Sequence, residues 1–508
     1  MPVFLLFSFV IGYFLLLLGV AWRVSRHSNN ESFFIGNRNS NWMLVAFGMI
    51  GTSLSGVTFV SVPGTVGDFA ENGYKGFAYF QVIIGYFIGY FVIAFILLPL
   101  YYRLQLTSIY NYLQSRFGRI AYKTGALFFI ISRTVGATAR LYLVINVLHV
   151  FILQRLGVPF ALTTFVILLM ILLYTFEGGV KTIVYTDTLQ TTFMLLGLVV
   201  CIIYIMKHLD LSLGGALHSM SEKGYTHIFN TDIKSKGFFV KQIIGGMFIA
   251  VAMTGLDQEM MQKNISVKRL WDSQKNVVSF SVVMVTVSFL FLLLGGLLYL
   301  YALHNGAQYV MVDGHHGLRV KGGPNMLGDS LFPSLALNFM PQAISIIFII
   351  GLISALFPSA DGALTALTSS FCIDLLDLRN RAGMDEGQRK RTRMTVHISF
   401  AILFLCCIMV FKWINNNSII AIILDLAGYT YGPLLGLFSF GIFTRRVLPD
   451  SWKITAVCLL APVCCYFISH NAAAWFGGFQ IGIELLVING LLTFLGLWVI
   501  SKSQASTN

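Results

Sequence analysis

Thirteen apolar stretches, most of them near the length of a membrane-crossing helix, follow one another along this chain with little polar sequence between them. A bilayer core is crossed by ~20 apolar residues in helical form. Inside it, every backbone amide and carbonyl must find a partner within the protein, which restricts spanning structures to helices and closed barrels. The stretches fall at roughly 3–22, 42–66, 77–102, 124–153, 160–176, 183–206, 240–258, 277–301, 341–372, 395–412, 418–443, 454–470 and 481–500. Hydrophobic residues make up 56% of the chain and charged residues 11%, against roughly a quarter charged in soluble domains. The expected fold class is an all-α polytopic membrane protein of about 13 transmembrane helices. The first stretch, "FLLFSFVIGYFLLLLGVAW", has no basic start and no small-residue cleavage site, so it reads as a retained span rather than a leader.

Charge orients these spans. Segments 23–41, 103–123, 177–182, 259–276, 373–394, 444–453 and the tail share one side and hold 22 of the 34 Lys and Arg residues. The other side holds 10, and Arg133 and Arg140 fall inside a span. Positive residues favour the cytoplasm, so an N-out, C-in topology is expected. The net charge of +13 is then an orientation signal, and no basic soluble face exists to bind nucleic acid. Segments 207–239 and 304–340 read as external excursions, the first with room for a short helix, and 377–393 as a basic cytoplasmic loop. His315 and His316 sit in a Gly-rich loop and read as solvated. The seven cysteines all lie in apolar segments without metal or disulfide spacing, and read as packing thiols.

Two spans break the apolar pattern. "FGMIGTSLSGVTFVSVPG", 47–64, concentrates Gly, Ser, Thr and Pro so densely that an unwound segment is expected. "IIGGMFIAVAMTGLDQ", 243–258, is interrupted at Gly245, Gly246 and Gly255. Paired broken helices at equivalent places in two halves point to an inverted-repeat transporter with its site at the midplane; close helix packing through small residues is the bland alternative. Ionisable residues inside spans are functional candidates, and here they are Arg133, Arg140, Asp187, Asp361 and Asp425. Asp187 has Gln190 and Thr191 on its helical face, and Asp361 shares a stripe with Ser354, Thr365 and Thr368. Carboxylate, hydroxyl and released carbonyl oxygens suit a hard cation such as sodium. Structural ion pairing with the two arginines is the alternative role for the acids.

The residues resemble the sodium/solute symporter family, which includes sodium–sugar, sodium–proline, sodium–sialic acid and sodium–pantothenate carriers. The resemblance rests on "SFFIGNRNSNWMLVAFGMIGTSLSG" at 32–56, "LPLYYRLQLTSIYNYLQSRFG" at 98–118 and "EGGVKTIVYTDTLQ" at 177–190. It also rests on "GLDQEMMQK" at 255–263 and "GYTYGPLLGLFSFGIF" at 428–443. It implies a leucine-transporter-type core of two inverted five-helix repeats, 42–206 and 240–443, joined by the external loop 207–239. An extra helix and loop (1–41) precede this core, and two helices and a tail (444–508) follow it.

The resemblance also implies sites. A sodium ion would be held by the carbonyls of Gly51 and Leu54, a carbonyl at Ala355 and the hydroxyl of Ser359. Where the family carries a second hydroxyl, this chain has Pro358, which removes one backbone hydrogen bond and frees a carbonyl near Ser354. Some relatives have a further ion site built from hydroxyls of that helix and an aspartate matching Asp187. Asp361 falls at one of those hydroxyl positions and reads as a replacement ligand facing Asp187. Two such carboxylates either bind sodium between them or carry a proton. Expected solute contacts are Ser55, Thr58, Ala250, Met253 and Asp425, with Met253 standing where sugar-binding relatives carry a stacking tyrosine. Arg133 and Arg140 lie on one helix face, ~10 Å apart along it. Sialic acid carriers of the family place an arginine on this helix, and Arg140 is the candidate to hold a solute carboxylate. Arg133 is expected to serve a gate or to pair with Asp425.

The expected function is sodium-coupled secondary active import of a small organic solute, favouring an organic acid or acidic sugar. Alternatives are a neutral sugar or polyol, and a proton-coupled variant using Asp361. No enzyme chemistry is expected, because the intramembrane acids are scattered rather than clustered at one mouth. A sensor would need an appended signalling domain, and none follows before Asn508. Sodium is the expected coupling ion, with no cofactor and no obligate protein partner. The expected setting is a cell membrane, the bacterial inner membrane in particular.

Overall fold

Three breaks in the helices of this protein fall where glycine, proline or a capping acid interrupts the apolar sequence. In the computed structural model, residues 3–25, 40–67, 76–106, 108–175, 179–312, 315–321, 323–378, 383–414 and 419–503 are described. Outside them lie residues 32–39, 107 and 177–178 of the quoted motifs, and the side chains of His315 and His316 are likewise not described. The helices are α1 (Val3–Ser25), α2 (Trp42–Ser53), α3 (Gly56–Gly64), α4 (Phe80–Arg103), α5 (Asn111–Phe117) and α6 (Arg119–Leu153). Then come α7 (Phe160–Thr175), α8 (Gly179–His208), α9 (Leu213–Glu222), α10 (Phe239–Gly255), α11 (Gln258–Ile265) and α12 (Leu270–His304). The remainder are α13 (Leu331–Asn338), α14 (Gln342–Leu375), α15 (Glu386–Ile414), α16 (Ile419–Thr430), α17 (Gly432–Phe443), α18 (Lys453–Trp475) and α19 (Leu485–Ile500).

Among the described residues, seven helices are long and apolar enough to cross a membrane, or ten if each bent pair counts as one span. Three shorter apolar helices lie at Ser8–Val24, Phe160–Thr175 and Leu485–Ile500. The chain is mostly helical but not all-α. The excursion after α12 folds into a small antiparallel sheet of β1 (Gln308–Val312), β2 (His315–Arg319) and β3 (Asn325–Met326). The segment 207–239 contains α9, as its length allows. Much of the basic stretch expected as a loop is helical, because α15 begins at Glu386.

The bends follow from local chemistry. α2 and α3 meet at 52°. Leu54 leaves the helical region (φ −86°, ψ 73°), and Ser55 is extended. Among the described residues, no backbone amide donates to the carbonyls of Gly51 or Leu54. α10 and α11 meet at 64°. There Asp257 caps α11, accepting from the amides of Glu259 at 2.9 Å and Met260 at 3.3 Å. The freed carbonyls of Gly255 and Leu256 are taken by the hydroxyls of Tyr101 (2.8 Å) and Tyr110 (3.0 Å). A third bend, 45° between α16 and α17, comes where Gly432 and Pro433 start a new helix.

Gly245 and Gly246 do not break their helix. A Cβ at Gly246 would lie 2.5 Å from the Val82 carbonyl, so this glycine lets α10 and α4 approach backbone to backbone, while one at Gly245 would meet the Ile483 side chain at 2.6 Å. Pro358 likewise sits inside α14 without ending it. The bent pair α2/α3 runs between α8 and α14. A Cβ at Gly48 would touch that of Asp187 at 3.3 Å, and the Phe59 ring packs on Phe332, Phe348 and Phe291 at 5.4, 5.7 and 5.9 Å. The apolar core is continuous around this pair.

Candidate functional site

Asp187 lies on α8 with no exposed surface, and its partner is a built-in ammonium. Lys263, on α11, donates to Asp187 Oδ2 at 2.7 Å and to Thr52 Oγ1 at 2.6 Å. Thr52, in the last turn of α2, donates in turn to Asp187 Oδ2 at 3.3 Å. The other carboxylate oxygen, Oδ1, has no hydrogen-bond partner among the described residues. Lys263 also lies 3.7 Å from Glu259 Oε1, one turn back on α11. Asp187 and Asp361 are therefore not a bare pair of acids, because Lys263 stands on the Asp187 side.

Asp361 is held by other means. Its Oδ2 accepts from Tyr174 on α7 at 2.8 Å, and its Oδ1 from the amide of Gly362 at 2.5 Å. It forms no ion pair within salt-bridge distance among the described residues. Nearby on α14, the buried hydroxyls of Ser359 and Thr365 have no hydrogen-bond partner among the described residues, while Thr368 is tied to Leu364 and His397. The Ser354 hydroxyl donates to Tyr13 of α1 at 2.8 Å. Ala355 is brought to the α2/α3 break, since its carbonyl lies 3.9 Å from the Cβ position of Gly56. The structure thus brings Asp187 of α8 against Gly48 and Gly51 of α2 and the Ala355 carbonyl of α14 to the break at Leu54, with Ser359 and Asp361 further along α14.

A cavity of about 80 Å³ opens beside this cluster, large enough for several waters. Thr52, Ser53, Tyr86, Tyr90, Arg133, Arg140, Ala250, Met253 and Thr254 line it, with Ile249, Met260 and Met284. Arg140 and Met253 are where the solute contacts were expected. Ser55 and Thr58 do not line it: Ser55 turns into the N-terminus of α3, and Thr58 lies a turn further on. Asp425 is also outside the cavity, exposed on α16.

Arg133 does not pair with Asp425. It ion-pairs with Glu259 Oε2 and approaches Asp257 Oδ2 at 3.9 Å, while Tyr431 donates to the same Asp257 oxygen at 3.1 Å. Arg140 makes neither an ion pair nor a hydrogen bond among the described residues. Glu259 and Lys263 were missed from the sequence, because the polar run after Gly255 reads as the end of a span. In the structure this run is α11, and every residue of it is buried. The available signal was Asp257 at a cap position, followed by Glu259 and Lys263 at i,i+4.

Chemically, the region offers unpartnered carboxylate, hydroxyl and carbonyl oxygens for a hard cation. Next to it, a guanidinium without a counter-ion faces a cavity, suited to a carboxylate.

The family model described as the sodium:solute symporter family matches residues 33–449. The chain is 23% identical over 491 residues to the sodium/sialic acid symporter NanT of Aliivibrio fischeri, covering 94% of this chain and 90% of that one. It is 22% identical over 512 residues to the sodium/sialic acid symporter SiaT of Proteus mirabilis, covering 96% and 95%. The solved structure of a substrate-bound, outward-open Na+-coupled sialic acid symporter superposes with a TM-score of 0.79 at 18% identity, covering 98% of this chain and 99% of that chain.

Proposed function

This chain belongs to the sodium:solute symporter family, and on that premise we propose that it is a sodium-coupled secondary active symporter importing a small organic acid, in particular an acidic sugar. The observation that carries the choice of an acid is Arg140. A guanidinium without a counter-ion in a membrane-embedded cavity is costly unless a ligand pairs with it, and a carboxylate matches it bidentately. The similarity to two sodium/sialic acid symporters supports the same choice.

Sodium binds at the α2/α3 break, to the carbonyls of Gly51, Leu54 and Ala355 and the hydroxyl of Ser359. Asp187 Oδ1, Asp361 and Thr365 offer a further group of oxygens. Released carbonyls at a helix break supply ligands without exposing unpaired backbone to lipid. The solute lies between Arg140, Met253 and the broken helices. The protein crosses the bacterial inner membrane thirteen times, N-out and C-in, with residues 42–206 and 240–443 as inverted repeats that rock about the two breaks. No cofactor takes part.

Reconstitution in proteoliposomes tests this, with sialic acid, simple sugar acids, neutral sugars, amino acids and short carboxylates offered with and without an inward sodium gradient. An acid should accumulate only with sodium. Arg140→Lys keeps the charge but loses the fork, and should weaken acid binding about tenfold, the equivalent of one charge-assisted hydrogen bond at ~1.5 kcal/mol. Competition by neutral sugars and not by acids would overturn the assignment.

A further inference from the structure

Three charged side chains, Arg133, Glu259 and Lys263, link the cavity to Asp187 without a gap, and open polar atoms remain along the line. Arg133 lines the cavity and is ion-paired with Glu259, while its Nε has no hydrogen-bond partner. Glu259 Oε1 also lacks a hydrogen bond, yet lies 3.7 Å from Lys263 Nζ. Lys263 sits on Asp187 Oδ2 at 2.7 Å, leaving Asp187 Oδ1 open. All four residues are at most 3% exposed, so their attraction is weakly screened. Gly362 makes room for the chain, since a Cβ there would fall on Glu259 Oε1.

We propose that Glu259 couples solute to sodium by exchanging partners between Arg133 and Lys263. The proposal rests on the solute being a carboxylate, as assigned above. A solute carboxylate drawn into the cavity by Arg140 also meets Arg133, which lines the same cavity, and competes with Glu259 for the Arg133 guanidinium. Released from Arg133, Glu259 closes the remaining distance to Lys263 and draws its ammonium off Asp187. Both oxygens of Asp187, with the Thr52 hydroxyl, then become available to a sodium ion. In the reverse order, sodium at Asp187 displaces Lys263 towards Glu259, and Glu259 gives up Arg133 to the solute. No proton moves and no covalent bond changes; each ion trades one counter-ion for another. Linkage makes the two directions equal: the factor by which the solute tightens sodium is the factor by which sodium tightens the solute. A neutral solute cannot start the exchange from the cavity side.

The experiment measures binding to the purified, reconstituted transporter by calorimetry. The sodium affinity is read with and without saturating sialic acid, and the sialic acid affinity with and without sodium. Wild type should show a mutual enhancement of ~10-fold or more. Glu259→Gln should still bind each ligand, with the enhancement falling to near one. Glu259→Asp, which keeps the charge on a shorter arm, should retain part of it. A purely structural role predicts otherwise, with both affinities reduced in Glu259→Gln and their ratio unchanged; that result overturns the relay. If Glu259→Gln does not fold, because Arg133 is left without its main counter-ion, the double change Arg133→Gln with Glu259→Gln removes both charges. It too should have lost the enhancement, and an enhancement retained there also overturns the relay. Absence of sodium-dependent sialic acid or sugar-acid binding in wild type would refute the carboxylate assignment instead, so the two failures are told apart.

Discussion

Asp187 and Lys263 hold each other in a place where neither would be stable alone. Removing one charge of a buried pair leaves the other uncompensated, at a cost of ~3–5 kcal/mol. Asp187→Asn should therefore abolish sodium-driven accumulation and also lower the melting temperature in detergent. The double change Asp187→Asn with Lys263→Met removes both charges, so it should recover most of the thermal stability and none of the sodium dependence. Full accumulation by either variant would show that Asp187 is no part of the ion site. Asp361 differs in that its contacts are a tyrosine hydroxyl and an adjacent amide. Asp361→Ala should raise the sodium needed for half-maximal uptake about tenfold, the equivalent of one charge-assisted contact. Pro358→Ser with Asp361→Ser, which restores two hydroxyls to α14, should regain much of that loss. An unchanged sodium requirement in Asp361→Ala would make the acid a structural counter-charge only.

The first broken helix was legible from the density of its small and polar residues. Ten Gly, Ser, Thr and Pro residues crowd 47–64, and the break falls among them at Leu54 and Ser55. The second break was legible as a region but not as a position. Gly245 and Gly246 serve helix packing, and the chain turns at Leu256, where Asp257 starts a new helix. Glycine content alone cannot separate a kink from a close approach, because both need a missing Cβ. The bend before Gly432 was not read, although "YGP" marks it. For the candidate site, the acids and arginines of the spans were visible, but their partners were not. Polar composition at 257–264 looks like a loop, and it is the packing of α2, α8, α12 and α14 against it that makes it buried. Asp425 shows the converse error, an acid in an apolar run that lies outside the cavity. The tyrosines at the second break give a test at this scale. Tyr101→Phe or Tyr110→Phe leaves a buried carbonyl unsatisfied, at ~1–3 kcal/mol each. Each change should lower the melting temperature by a few degrees while leaving the binding of sodium and of the acidic solute within about twofold. Unchanged melting in both would show that these hydroxyls do not hold the bend.

Across the whole molecule, charge balance limits what one transport cycle can carry. The buried cluster holds four carboxylates, Asp187, Asp257, Glu259 and Asp361, against three basic groups, Lys263, Arg133 and Arg140. With all of them ionised, one negative charge is uncompensated, and a carboxylate solute adds a second. Uncompensated charge in a membrane interior is strongly disfavoured, so the loaded carrier should take up two sodium ions with each monoanionic solute. That number fits the oxygens on hand, one group at the α2/α3 break and one around Asp187 Oδ1 and Asp361. Two cations and one anion move one net positive charge inward per cycle. Uptake of the acidic solute should therefore quicken when a potassium diffusion potential makes the vesicle interior negative, and slow when the potential is reversed. Parallel fluxes of labelled sodium and labelled solute should give a ratio near two. A ratio of one with no response to potential would mean that the extra acid is neutral in the loaded state. In that case Asp361, which has no basic partner within salt-bridge distance, is the residue to which the missing sodium must be charged.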